Sequence, residues 1–78
     1  MKYIVETHDV CKYKRESKVV SEVVYDNVKD FEVVVLDPDE VLARGSDMID
    51  DHNEYLVLKF ENGEDMMFRN SYVDLFRW

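Results

Sequence analysis

The chain contains little of what disulfide-rich, zinc-binding or membrane proteins are built from. Cys11 is the only cysteine in 78 residues, which excludes an internal disulfide and a zinc site made of several cysteines. An acid, Glu6, interrupts the N-terminal apolar stretch and argues against a signal peptide. The longest apolar runs are strand-sized, far below the roughly 20 residues that cross a bilayer. We therefore expect a cytoplasmic protein without a membrane segment.

Glycine and proline are also scarce, which bears on the number of domains. The chain has two glycines and one proline, with no repeat and no linker-like segment. A chain of 78 residues can form one core but not two, so we expect a single small acidic domain over residues 1–78. Because a domain of this size buries only about 60% of its unfolded surface, a homodimer would add stability.

Basic residues are the third shortage, and they are missing mainly from the middle of the chain. The net charge is −8. Residues 1–25 hold five basic and four acidic side chains, residues 26–65 hold three and thirteen, and residues 66–78 hold two and one. Such an acidic segment repels nucleic acid and anionic lipid and attracts basic protein surfaces. The charge pattern predicts a protein partner with a basic surface, no membrane contact and little direct nucleic-acid binding.

The apolar pattern predicts an α+β fold built on a small antiparallel sheet of four to six strands, connected as meanders or hairpins. β-branched and aromatic residues favour strands at residues 2–7 and 18–25, although the valines of residues 18–29 also fit one face of a helix. We prefer the strand. Residues 31–36 are almost continuously apolar, which predicts a central strand covered on both faces.

One short helix is predicted near residues 38–44. Pro38 suits the first helical position, and Gly45 suits a left-handed exit. Asp37 and Glu40 have the spacing of a capping box, in which each side chain accepts a hydrogen bond from the other residue's backbone. The polar segment that follows, residues 46–53, is predicted to be an exposed loop.

A β-hairpin is predicted around Asn62-Gly63, the strongest short-range turn signal in the chain. A two-residue turn would place Glu61 opposite Glu64, and like charges in that arrangement are destabilising. A three-residue loop, residues 61–63, instead gives compatible cross-strand pairs, and we prefer that register. The predicted pairs are Lys59 with Asp65, Leu58 with Met66, Val57 with Met67 and Leu56 with Phe68.

The C-terminal segment is too apolar for a loose tail. Its Ser71-x-x-Asp74 pattern fits a helical turn, and a final edge strand fits nearly as well. Both faces of the hairpin are partly apolar, so one of them can meet a second subunit. The candidate oligomer contacts are Met67, Phe76 and Trp78.

No motif in the chain indicates metal binding or catalysis. Neither His8, Asp9 and Cys11 nor the 50–52 group has the ligand spacing of a zinc site. An EF-hand reading from Asp37 fails because the sixth position is not glycine. Nucleophile elbows, phosphate-binding loops and metalloprotease motifs are missing. We expect no enzyme, no cofactor and no metal.

The remaining feature with functional meaning is the acidic segment. Some of its acids have a structural explanation, because Asp37, Asp39 and Glu40 fit a helix start and Asp65 fits a pair with Lys59. The acids that have no such structural explanation are centred on residues 47–54. With Asp39 added, the candidate partner-binding residues are Asp39, Asp47, Asp50, Asp51 and Glu54.

In size and charge the chain resembles the small acidic inhibitors of phages and other mobile elements, including anti-CRISPR and anti-restriction proteins. This resemblance implies a DNA-mimic surface that occupies the basic groove of a nucleic-acid-binding enzyme.

Two other functions stay open. One is a self-associating structural or regulatory module. The other is a weak single-stranded nucleic-acid binder that uses the basic patch of residues 12–18, where Tyr13 lies among Lys12, Lys14 and Arg15. A simpler explanation of the acids is that they keep a small aromatic-rich protein soluble.

Overall fold

The computed structural model describes residues 1–78 as a small, mostly β fold with one short helix. Its strands form two three-stranded antiparallel sheets rather than the single sheet expected. In the first sheet, β1 (Tyr3–His8) lies between β2 (Val19–Tyr25) and β6 (Val73–Arg77). In the second, β4 (Glu54–Phe60) lies between β3 (Val28–Val35) and β5 (Asp65–Arg69). The helix α1 (Pro38–Ala43) follows β3.

A sharp corner at Asp26-Asn27 carries the chain from the first sheet to the second. Asn27 adopts a left-handed backbone (φ 58°), which asparagine tolerates better than most residues. The N–H of Val28 donates to the carbonyl of Met1, and the N–H of Glu61 donates to the carbonyl of Asn27. The corner therefore ties both sheets together, as expected where a strand bends from one packed sheet into another.

The main core lies between the two sheets. Alternate residues of each strand point inward, so β1 contributes Tyr3 and Val5 while β4 contributes Leu56 and Leu58. On the opposite face of β4, Tyr55 forms a second cluster with Leu36 and Val41, which holds α1 against the second sheet. Residues 54–60 thus face a core on both sides.

The central strand of the second sheet is β4, and the prediction that residues 31–36 form one is wrong. β3 lies at the edge and leaves Phe31, Val33 and Val35 exposed. The two segments have similar apolar runs. The hairpin that follows β4 supplies a second strand neighbour, whereas the chain leaves β3 into a helix, so β3 is paired on one side only.

The predicted hairpin register is confirmed. Lys59 pairs with Asp65, and the other three predicted pairs are present as well. Gly63 has the left-handed backbone (φ 88°) that the three-residue loop requires. The choice of strand over helix for residues 18–25 is also confirmed, because β2 covers Val19–Tyr25.

The helix is confirmed, but its predicted capping box is absent. Asp37 occupies the N-cap position and makes no side-chain capping hydrogen bond. The Glu40 N–H, which a capping box would use, donates instead to the backbone carbonyl of Asp37. Gly45 takes the expected left-handed exit (φ 81°). With six residues in its one α-helix, the chain has no helix able to cross a membrane.

The C-terminal segment combines both predicted alternatives. A single 3₁₀ turn spans Asn70–Tyr72, and the edge strand β6 follows it directly. The turn buries Ser71, which donates hydrogen bonds to the loop before β4.

Candidate functional site

Asp50 was expected on an exposed acidic loop, but it lies inside the protein with 2% of its surface exposed. Its carboxylate accepts hydrogen bonds from the backbone N–H and the hydroxyl of Ser71, at 2.7 and 2.8 Å. It also accepts from the N–H groups of His52 (2.9 Å) and Glu54 (3.1 Å). The phenol of Tyr55 accepts from the Asp50 N–H. Asp50 therefore fastens the 46–53 loop to the 3₁₀ turn and offers nothing to a partner.

The ionisation of Asp50 reflects these hydrogen bonds. Burial by itself raises the pKa of a carboxyl group, because the charged form loses its hydration. The donors from Ser71, His52 and Glu54 outweigh that effect and hold the pKa of Asp50 below its usual range. A buried charge is acceptable here because four donors satisfy it.

Of the other three acids in the loop region, one is half-buried and two are exposed. Glu54 is half-buried and accepts a hydrogen bond from the Asn70 side chain at 3.1 Å. Asp51 is exposed and accepts one from the phenol of Tyr72 at 2.9 Å, which raises the pKa of Tyr72. Only Asp47 is exposed without a hydrogen bond or an ion pair. The predicted loop surface is therefore reduced to Asp47 and, in part, Asp51.

The acids at the start of α1 show the opposite behaviour. Asp37, Asp39 and Glu40 are all exposed, and none has a side-chain hydrogen bond or an ion pair. The sequence pattern explains these three as helix-capping residues. In the fold their carboxylates are exposed to solvent.

β3 continues this acidic surface along the edge of the second sheet. Asp30 and Glu32 lie on the sheet face that points away from β1, because Asp30 pairs with Lys59 and Glu32 pairs with Val57. Successive residues on one face of a strand are about 6.6 Å apart, and this spacing separates Asp30 from Glu32. We call Asp30, Glu32, Asp37, Asp39 and Glu40 the acidic edge.

The opposite face of β3 carries an apolar row beside the acidic edge. Phe31, Val33 and Val35 are exposed by 43%, 51% and 72%. Phe31 makes an edge-to-face contact with Tyr3, with ring centroids 5.5 Å apart, which anchors one end of the row on the core. Apolar side chains and carboxylates thus lie on opposite faces of one strand that is paired on one side only.

Very little positive charge offsets the acids of this region. The chain has three contacts between acids and basic side chains, and they use only Asp74 and Glu32. Lys59 lies 3.3 Å from Glu32 on the face of the second sheet. Every other exposed acid between residues 26 and 65 is without an ion pair. Four of the five acids of the acidic edge therefore have no ion pair to offset their charge.

The basic patch of residues 12–18 is partly used within the fold. The ammonium of Lys12 donates to the carbonyl of Val73 at 2.8 Å and lies 3.3 Å from Asp74. Tyr13 is exposed and packs its ring edge-to-face against His52. Lys14 and Arg15 stay exposed, so the patch presents fewer charges than its sequence suggests.

The three predicted oligomer contacts do not form one surface. Met67 is half-buried and packs against the second core cluster beneath α1. Phe76 and Trp78 are exposed at the end of β6, in the other sheet. Phe76 lies opposite Ile4, which places it on the outer face of the first sheet.

The same outer face holds a row of three carboxylates that the sequence did not reveal. Glu6 lies opposite Glu22 on one side and Asp74 on the other. Burial and the neighbouring Glu22 raise the pKa of Glu6. For Asp74, burial is outweighed by hydrogen bonds from His8 and Lys12, which lower its pKa. Only the strand register shows this alignment, since the three acids are far apart in sequence.

The surface of the domain has three depressions. The largest lies at the corner and the hairpin tip, lined by Asp26, Asn27, Phe60, Glu61 and Asn62. It contains no histidine, cysteine, serine or lysine that would act as a nucleophile or base. No group of three or more His, Cys, Asp or Glu side chains is placed to hold a metal ion.

Comparison of the chain with protein-family models, with curated proteins and with solved structures found no match.

Proposed function

We propose that the chain is a non-enzymatic protein-binding module that docks on a basic protein surface through its acidic edge. The observation that carries this proposal is the group of four exposed acids without ion pairs, which are Asp30 on β3 and Asp37, Asp39 and Glu40 at the start of α1. Long-range attraction between this field and a basic partner accelerates association and selects against acidic partners.

The apolar row makes solubility an incomplete explanation of these acids. Acids that only keep a protein soluble need no particular neighbours, whereas an interface typically has an apolar centre and a polar rim. Phe31, Val33 and Val35 supply apolar side chains on one face of β3, and Asp30 and Glu32 supply carboxylates on its other face, so a partner that encloses this edge contacts both.

The chemistry of the surface points to partners that normally bind nucleic acid. Lysine and arginine side chains that contact phosphates in a groove will also bind carboxylates spaced along a rigid strand. Occupation of that groove by this domain would inhibit the partner. An inhibitor of the phage or mobile-element type, acting on CRISPR nucleases or restriction enzymes, is the form of this function that we favour.

A competition experiment tests the proposal. A fluorescently labelled duplex is bound to each member of a panel of purified CRISPR nucleases and restriction enzymes, and the intact protein is titrated in while anisotropy is followed. The duplex should be displaced from at least one partner, and displacement should weaken steeply as salt is raised, because the contacts are electrostatic.

Two charge variants with the same number of changes locate the surface. Neutralising the helix start with Asp37→Asn, Asp39→Asn and Glu40→Gln should weaken displacement about tenfold. The control, Glu16→Gln, Glu61→Gln and Glu64→Gln, removes three exposed acids from outside the acidic edge and should change displacement less than about twofold. Equal losses in both variants would show that net charge alone acts. A panel with no displaced duplex would reject this class of partner.

A further inference from the structure

β2 has an exposed, apolar and unpaired edge. It lies at the border of the first sheet, and all of its residues except Tyr25 are exposed. Four of its seven residues are valines, and Glu22 is its only charged residue. A bulge at Val20 interrupts its pairing with β1, so the regular part of the edge is 21–25. Free backbone groups along such a strand are a template for another strand.

The other free edges carry features that oppose strand pairing. β3 has a bulge at Lys29, and Asp30 and Glu32 add negative charges along the strand. On β6, the ammonium of Lys12 donates a hydrogen bond to the carbonyl of Val73, so this acceptor is already in use. β5 begins with Asp65 directly after Glu64, so two acids lie at its start. Proteins use charges and bulges in this way to prevent association through edges.

The charge distribution favours a second copy of this chain as the occupant of the β2 edge. Residues 1–25, which include β2, hold five basic and four acidic side chains, whereas residues 26–65 hold three and thirteen. Two copies that met through β3 would bring their acidic edges together. Two copies that met through β2 would join segments in which basic and acidic side chains nearly balance, with Glu22 as the only charged residue of the strand itself, and would leave the acidic edges outside the contact.

We infer that the protein forms a symmetric dimer in which β2 pairs antiparallel with β2 of a second copy, giving a continuous six-stranded sheet. A two-fold axis at Val23 pairs all of residues 21–25 with the same residues of the second copy. It sets Ser21 opposite Tyr25 and Glu22 opposite Val24. An axis at Glu22 would instead oppose two identical carboxylates, which is destabilising. In the dimer each copy's acidic edge stays accessible, so a partner with two basic sites is bound bivalently.

Sedimentation equilibrium of the full chain from micromolar to millimolar concentration tests the dimer. Val24→Glu sets a new carboxylate opposite Glu22 at both symmetric positions and should weaken dimerisation about tenfold or more. Adding Glu22→Lys to that variant should restore the dimer, since the facing charges are then opposite. Val35→Glu makes the same chemical change on the β3 edge and should leave the dimer intact.

A cysteine cross-link tests the register without adding charge. Facing residues on neighbouring antiparallel strands have Cβ atoms about 4.5–5.5 Å apart, close enough for a disulfide after small adjustments. Under mild oxidation Val23→Cys should give a covalent dimer, whereas Val33→Cys on β3 and the unmodified chain, whose Cys11 is buried, should not. A monomer at all concentrations, or a dimer broken by Val35→Glu and not by Val24→Glu, would overturn the inference. So would cross-linking through Val33→Cys alone.

Discussion

Two acidic segments behave oppositely to what their sequences suggest. One is the helix start, residues 37–40, and the other is the loop after the helix, residues 50–54. The segment at 37–40 has the pattern of a helix cap, yet its carboxylates make no hydrogen bonds and face solvent. The segment at 50–54 has the composition of a solvated loop, yet Asp50 is buried with four donors and Glu54 bonds to Asn70. One segment is available for binding, and the other holds the fold together.

The difference comes from tertiary structure and not from the acids themselves. At the helix start, the backbone carbonyl of Asp37 already accepts from the Glu40 N–H, so the side chain is not needed. In the loop, donors come from Ser71, which is 21 residues away, and no backbone carbonyl takes them. An acid becomes structural when the fold delivers unsatisfied N–H groups to it, because a buried donor without a partner is costly.

The largest expected effect is the loss of Asp50. Asp50→Ala leaves the Ser71 N–H and hydroxyl and the N–H groups of His52 and Glu54 without their acceptor. We expect the free energy of unfolding to fall by about 3 kcal/mol or more. Urea unfolding followed by circular dichroism measures this loss. The adjacent control Asp51→Ala removes one exposed hydrogen bond and should cost less than about 1 kcal/mol. Similar losses for the two variants would remove the distinction between the segments.

Acid titration of stability tests the same site through its charge. Because hydrogen bonds hold the pKa of Asp50 below its usual value of 3.8, the unfolded chain takes up a proton at this residue before the folded protein does. The resulting stabilisation is complete above 3.8 and is lost as pH falls through the lowered folded pKa. Asp74 adds a contribution of the same sign. Unfolding measured from neutral pH downward should show a smaller loss of stability with acid for Asp50→Asn than for the unmodified chain.

The sequence was sufficient for features that depend on local geometry. Asn62-Gly63 together with the charges of Lys59 and Asp65 selected the correct hairpin register, because facing residues are fixed once the loop length is known. Pro38 and Gly45 marked the helix for a similar reason.

Features that depend on contacts between residues far apart in the chain could not be predicted from the sequence. The apolar run of β3 resembles that of β4, and only the strand order distinguishes the edge from the centre. Nothing near Asp50 in the sequence indicates that Ser71 will meet it. The row of Glu6, Glu22 and Asp74 likewise exists only after three strands have been aligned.

Glu6 differs from both segments, because its carboxylate lies beside two other acids, Glu22 and Asp74. Asp50 instead accepts four hydrogen bonds, and the helix-start acids are exposed to solvent. Burial and Glu22 raise its pKa, so its contribution to stability is complete below the ordinary value of 4.5 and is lost as pH rises through the raised folded pKa. At neutral pH, Glu6→Gln should therefore increase the melting temperature, and the gain should vanish in acid. Glu16→Gln, in the exposed loop after β1, is the matched control and should leave the melting temperature at neutral pH nearly unchanged.

The smallest effect is expected at the helix start, and it completes the comparison. The variant with Asp37→Asn, Asp39→Asn and Glu40→Gln loses the attraction between three carboxylates and the helix dipole, which is weak at exposed positions of a six-residue helix. We expect a loss of less than about 1 kcal/mol in total, measured by the same urea unfolding as for Asp50→Ala. If binding to a basic partner fell while stability stayed within this limit, the helix-start acids would serve recognition and Asp50 would serve the fold. A loss comparable with that of Asp50→Ala would instead mean that the acids at residues 37–40 are structural.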